Sequence, residues 1–209
     1  PKAVQHAEGD LAMLNAAAKS FEVLGKRDTA GDLCERIAAS QARTLDGRIA
    51  RAQALVHLGR APEAEKILHD ELDIDPKNPR VHFELGKLFE ETGRQFQSME
   101  HFERAFEQQP GNDDYRYELA ESYLDSLQFE RCERVLEEAP MGNARFGVVR
   151  VRLWIAQGKP LNMDQVRQWI GRGYRSSLAM AMVCLQNGRP EEAVGICTLM
   201  LKRGPGLSD

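Results

Sequence analysis

The residues able to do chemistry are few, and their spacing does not assemble them. Four cysteines (Cys34, Cys132, Cys184, Cys197) and five histidines (His6, His57, His69, His82, His101) are the candidate metal ligands and nucleophile–base pairs. No Cys-x-x-Cys occurs, and no two histidines stand at a spacing that puts both on one helical face beside an acid. A glycine-rich phosphate loop after a strand and a nucleophile elbow are both missing. The few serines sit in no triad context. The sequence therefore predicts no catalytic residues, no metal and no cofactor, and the chain is expected not to be an enzyme.

The bulk composition narrows the classes further. Of 209 residues, 42% are hydrophobic and 29% charged, enough for a core beneath a well-solvated surface. A net charge of -4 argues against a general nucleic-acid binder, which needs cations to displace counterions from phosphates. The longest apolar run, Leu178 to Leu185, is far short of the roughly 18 residues of a membrane span. No charged start leading into an apolar stretch marks a signal peptide. The chain opens on Pro1 rather than Met, as a fragment or a processed form would.

What positions these residues is an internal repeat. Gly25, Gly59 and Gly93 recur every 34 residues. The same interval joins Ala18, Ala52, Gly86 and Ala120, and also Phe21, Leu55, Phe89 and Tyr123. It joins Ala30, Ala64, Ser98 and Cys132, then Cys34, Leu68, Phe102 and Leu136, and lastly Pro76 and Pro110. Leu85, Gly86 and Phe89 lie on one helical face, where the small residue lets a second helix approach and the aromatic fills the space beside it. The following glycine suits a left-handed helix end. A second stripe, Ser98, Phe102 and Ala105, makes the partner helix, which Pro110 stops. The unit is a helix–turn–helix hairpin. The cysteines fall on its packing positions, so all four are expected between helices as small hydrophobes. Cys184 and Cys197 share a hairpin and would come close enough to pair in an oxidising compartment.

This pattern resembles the tetratricopeptide repeat (TPR) family. The resemblance implies an all-α fold, a right-handed α-solenoid of tandem helix–turn–helix hairpins, about six units with the fifth degenerate. Residues 1–10 are a lead-in, and 11–143 hold four units (11–44, 45–78, 79–112, 113–143). Two divergent units and a tail occupy 144–209. Leu127 stands where the fourth turn glycine belongs, and after Pro140 the period slips. The stretch Ala139 to Ala144 is expected to be the weakest interface of an array in which each hairpin is stabilised by its neighbours.

The resemblance also implies a concave groove lined by the first helix of each unit. Carried over position by position, the groove residues are Ile49 and Gln53, then Arg80, Phe83, Glu84, Lys87 and Glu90. From the fourth and fifth units come Tyr117, Glu118, Glu121, Asp125 and Arg152. Lys19, Glu22, Val56, His57 and Glu91 share these positions. Phe83 and Tyr117 are candidate anchors for a peptide side chain. The carboxylates around them point to a segment with an apolar or aromatic residue flanked by Lys or Arg. A clamp that some family members use on a chaperone's free carboxylate is absent, because Glu84 stands where an arginine belongs.

The expected function is a non-catalytic scaffold or adaptor binding a protein or peptide in this groove, with no nucleic acid and no membrane span. The alternatives are an accessory domain of a larger enzyme, or part of a periplasmic assembly factor for secretion or exopolysaccharide export. Self-association through the ends of the array is a further reading. Unpaired cysteines favour the cytoplasm. A processed or truncated chain would favour the periplasm.

Overall fold

A computed structural model describes the backbone of residues 2–141, 143–170 and 174–202, and the side chains from residue 11 on except those of 144, 174 and 176. Gly142, the Gly171–Gly173 stretch and the tail from residue 203 on lie outside the described residues, as does the side chain of His6. The described residues form twelve helices and no strand. Two compact units divide the chain, Pro1–Gln109 and Pro110–Asp209.

The first unit holds α1 (Lys2–Val23), α2 (Arg27–Ala38), α3 (Leu45–His57), α4 (Ala61–Ile74), α5 (Pro79–Glu91) and α6 (Gln95–Gln108). The second holds α7 (Asp113–Asp125), α8 (Phe129–Glu137), α9 (Ala144–Ala156), α10 (Met163–Trp169), α11 (Tyr174–Gln186) and α12 (Pro190–Lys202). Each unit is three antiparallel hairpins, as the repeat requires. The lead-in is continuous with the first helix, which runs from Lys2. The fifth unit, expected to be degenerate, has a short second helix, α10, of 7 residues.

Helix starts follow a column that the 34-residue repeat also carries. Thr44 accepts from the backbone N–H of Gly47, Asn78 from Arg80 and Val81, and Asn112 from Asp114 and Tyr115. Asn143 and Asn162 cap α9 and α10 in the same way. Each satisfies amide donors that the first turn leaves unpaired. The hairpin turns close through left-handed residues. Gly59 donates to the Val56 carbonyl and Arg60 to that of Leu55, at 2.9 and 2.8 Å, the paired bonds of a Schellman ending.

One turn breaks the rule. Gly25, Gly59, Gly93, Gly158 and Gly188 all have φ between 69° and 74°, but the equivalent fourth-unit residue is Leu127, with φ 58°. A Cβ in that region is crowded by the following carbonyl, at a cost of roughly 1–2 kcal/mol. Leu127→Gly is therefore expected to stabilise the chain by about 1 kcal/mol, part of the relief being offset by glycine's greater freedom when unfolded. A chemical-denaturation midpoint that does not rise would contradict this.

Hairpins close on complementary volumes. In α5, Gly86 faces Phe102 of α6, and a Cβ added to the glycine would stand 2.5 Å from two ring carbons. Elsewhere the same pairing is Ala52 with Leu68 and Ala120 with Leu136, all buried. Cores follow these seams: Leu55, Leu68, Leu85 and Phe89 in the first unit, and Val151, Val166, Met180 and Ile196 in the second.

A column of arginines, half-buried at Arg48 and buried at Arg116 and Arg150, ties helices together. Arg48 pairs with Glu71 at 2.6 Å. Arg116 donates to the carbonyls of Val135 and Pro110. At the junction expected to be weakest, Arg150 donates to the carbonyls of Leu136 and Ala139 at 2.8 and 3.0 Å. The Leu136 carbonyl lies in the last turn of α8 and also accepts from the Ala139 N–H, and the Ala139 carbonyl lies just beyond the helix, so the guanidinium ties the end of α8 to α9.

Candidate functional site

The thiols are packing groups. Cys34, Cys132 and Cys184 are buried, Cys197 is half-buried, and all four are free, so the Cys184–Cys197 pair is not formed. Burial pushes the Cys132 thiol up to about 12 and that of Cys184 to about 11, away from the thiolate that a nucleophile or metal ligand requires. Among the described residues, no group of three or more His, Cys, Asp or Glu could hold a metal ion. The histidines do meet, across helices rather than along one: His82 Nδ1 of α5 lies 2.9 Å from His101 Nδ1 of α6. Spacing along a single helix could not reveal a contact made between two.

In the first unit the groove positions form a cross-linked face. Asn15 donates to Gln53, Gln53 donates to Glu84 at 2.7 Å, and Lys87 meets the other Glu84 oxygen at 2.9 Å. These bonds run from α1 across α3 to α5. Arg80 pairs with Asp46 at 2.7 Å. Ile49 is 5% exposed and belongs to the core rather than to the surface. Phe83 is half-buried, its ring 5.8 Å from that of Phe102 and 4.9 Å from the Lys87 ammonium. Glu90 is exposed on the same helix.

Between α1, α3 and α5 this face opens into a cavity of about 250 Å³. Its floor is apolar: Ala52, Leu68 and Leu88 are buried and Val56 half-buried. Lys19, Glu22 and His57 stand on one side of the rim, Glu84, Lys87 and Glu91 on the other. Nearly all of the rim is legible in the repeat register. The floor was missed: Leu68 reads as a packing residue, which it is, and Leu88 falls at no groove position, yet the cavity reaches both.

In the second unit the carboxylates have cations of their own. Arg152 of α9 bonds Glu121 and Asp125 of α7, the latter at 2.8 Å. Arg145 meets Asp114 at 2.5 Å and Glu118 at 3.8 Å. Its guanidinium lies 4.0 Å over the Tyr117 ring, a cation–π contact. Tyr117 also packs edge-on against Phe146, with centroids 6.2 Å apart. Burial, followed by the Glu121 carboxylate, pushes its hydroxyl up to about 12. The wall that reads as acidic from sequence is thus largely neutralised from within the chain. Charges at neighbouring positions of one helix are visible in the sequence, whereas pairs made between successive first helices are not.

The tetratricopeptide-repeat family model matches residues 45–88, which span α3, α4 and most of α5. Residues 45–88 thus match a tetratricopeptide repeat, and the other hairpins share the helical-repeat fold. A tetratricopeptide repeat protein from Parabacteroides merdae aligns over 92% of this chain and 79% of its own, with a TM-score of 0.56 at 14% identity. MamA from Desulfovibrio magneticus RS-1 aligns over 74% of this chain and 93% of its own, with a TM-score of 0.51 at 15% identity. These likenesses carry the fold. No curated protein matches this chain. Among the described residues, no helix is long and apolar enough to cross a membrane.

Proposed function

We propose that the chain is a non-catalytic scaffold that holds a segment of another protein against the first helices of its hairpins, and that the first-unit cavity seats an apolar side chain of that segment. The observation that carries this reading is the cavity itself: about 250 Å³ with an apolar floor, opening among charged groups. An aliphatic or aromatic side chain entering it gains roughly 25 cal/mol for each Å² taken from water. The rim sets what stands beside that side chain. Glu84 is already engaged on both oxygens. Glu22 retains 50% exposure and Glu91 is exposed, so these two carboxylates favour a flanking Lys or Arg.

The test is selection of binders from a random peptide display library, followed by affinity measurement. Selected peptides are expected to share an apolar residue next to a basic one. The double variant Glu22→Lys/Glu91→Lys, confined to the surface, is expected to weaken them about tenfold, since two exposed ion pairs contribute up to about 1 kcal/mol each. Phe83→Ala is expected to weaken them while leaving the helical signal intact. Peptides without a shared apolar residue, or affinity indifferent to the rim reversal, would remove the proposal.

A further inference from the structure

The rim of the first-unit cavity sets two cations, Lys19 and Lys87, against three carboxylates, Glu22, Glu84 and Glu91. The remaining ionisable side chain of the lining is His57, its one histidine. Lysine and glutamate side chains ordinarily hold their charges between pH 5 and 8, whereas histidine gains a proton within that interval. Protonation of His57 therefore cancels the single excess negative charge of the rim.

The added charge falls beside a carboxylate that a ligand would use. His57 Nδ1 of α3 lies 3.4 Å from Glu22 Oε2 of α1, and the two side chains are 28% and 50% exposed. With the imidazole neutral, this contact leaves the Glu22 charge uncompensated. With the imidazole protonated it becomes an ion pair, so an incoming Lys or Arg has to displace an internal cation. The new charge also repels a cation approaching along the rim.

The other groups around His57 do not undo this difference. Lys19 stands one turn before Glu22 on α1 and bears its charge in both states. On α5, Glu84 accepts from Gln53 and meets Lys87, while Glu91 is exposed on the far side of the rim. The carboxylates that α2 and α4 bring to this end of α3 are turned to Arg60: Glu35 at 3.7 Å and Glu63 at 2.7 Å. To the cavity itself α4 contributes Leu68.

Resting on the reading of this cavity as the seat of a protein segment, we propose that His57 is an acid-operated gate on it. Neutral, His57 leaves Glu22 to the basic residue beside the segment's apolar side chain; protonated, it takes Glu22 for itself. The seat is tight near neutral pH and slackens as the surroundings acidify.

The probe is a peptide selected from the display library at about pH 8, with an apolar residue next to Lys, and a counterpart with Gln in place of that Lys. From about pH 8 to about pH 5.5 the Lys peptide is expected to weaken about fivefold and the Gln peptide less than about twofold, the scale of one exposed ion pair. His57→Gln is expected to bind the Lys peptide with one affinity at both pH values. His57→Lys, whose cation is permanent, binds it weakly at both. Acid destabilisation elsewhere in the chain acts on parent and variants alike, so the contrast with His57→Gln isolates the gate, and circular dichroism at the lower pH checks that each remains folded. Selection that yields no peptide with an apolar residue beside a basic one overturns the cavity reading and this proposal with it. A Lys peptide that binds equally at both pH values, a Gln peptide that weakens as much, or a His57→Gln variant that keeps the parent's pH response overturns the gate alone.

Discussion

Gly86→Ala is expected to destabilise the chain by about 1–2 kcal/mol, and adding Phe102→Leu to reverse most of that loss. Two effects of the first substitution oppose each other. Alanine is favoured over glycine in a helix interior by about 1 kcal/mol. Against this, the new methyl would stand 2.5 Å from two carbons of the Phe102 ring. That ring is fully buried and packs against Phe83, so it cannot swing aside. Overpacking of this kind costs about 1–3 kcal/mol, and it wins. The double variant recreates the alanine–leucine seam of Ala52 with Leu68 and Ala120 with Leu136. Phe102→Leu alone leaves a void above Gly86 and destabilises by itself. A double-mutant cycle in urea is expected to show a favourable coupling of about 1–3 kcal/mol between the two changes. Additive effects would mean that α5 and α6 are not held apart by this pair.

That seam shows what a repeated sequence makes legible. The small residue at Gly86 and the large one at Phe102 recur with their counterparts at a fixed interval, so hairpins, turns and seams follow from periodicity alone. Leu127 is legible too as a departure, and the structure keeps the turn while straining the residue. The groove is less so. The register names the rim of the first-unit cavity, but not its floor, and it does not state which charges meet. Gln53 reaches Glu84 and Arg152 reaches Glu121 across 31 residues. In the first case this is a repeat less about one helical turn, in the second a slipped repeat. Such pairs depend on how successive helices are offset, which a one-dimensional spacing does not encode. The same applies to Tyr117, whose cation Arg145 comes from the next hairpin, whereas Phe83 and Lys87 are an i, i+4 pair of one helix and their contact is legible in the spacing.

Acidification from pH 6.5 towards 4 is expected to destabilise the first unit, through the histidine pair that α5 and α6 enclose. His82 Nε2 lies 3.0 Å from the Pro76 carbonyl and therefore carries a proton. The other nitrogen of neutral His82 is then an acceptor, and His101 Nδ1 donates to it across 2.9 Å. The surroundings offer a second proton little support. His82 is 2% and His101 8% exposed. The Phe89 ring lies 5.2 Å from that of His101, His69 of α4 stands 6.4 Å away, and Arg104 adds a like charge from α6. Glu65, Glu100 and Asp75 act in the other direction and are outweighed by burial. Burial first, then His82, Arg104 and His69, lowers the His101 imidazole to about 4, and burial lowers that of His82 despite its bond to Pro76.

A folded pKa below the unfolded value means that the unfolded chain binds more protons between the two. Stability is therefore full above about pH 6.5 and falls as pH drops through the interval, by about 3 kcal/mol for His101 alone. Glu65, held down by its bond to Arg94, contributes only at lower pH, where carboxylates protonate. Each hairpin depends on its neighbours, so the loss is expected to appear first as faster amide exchange in α5 and α6. Urea midpoints measured from pH 7.5 to 4.5 should decline for the parent chain and much less for His101→Gln, which cannot titrate there. Equal slopes for the two proteins would show that carboxylates, and not this pair, govern the acid response.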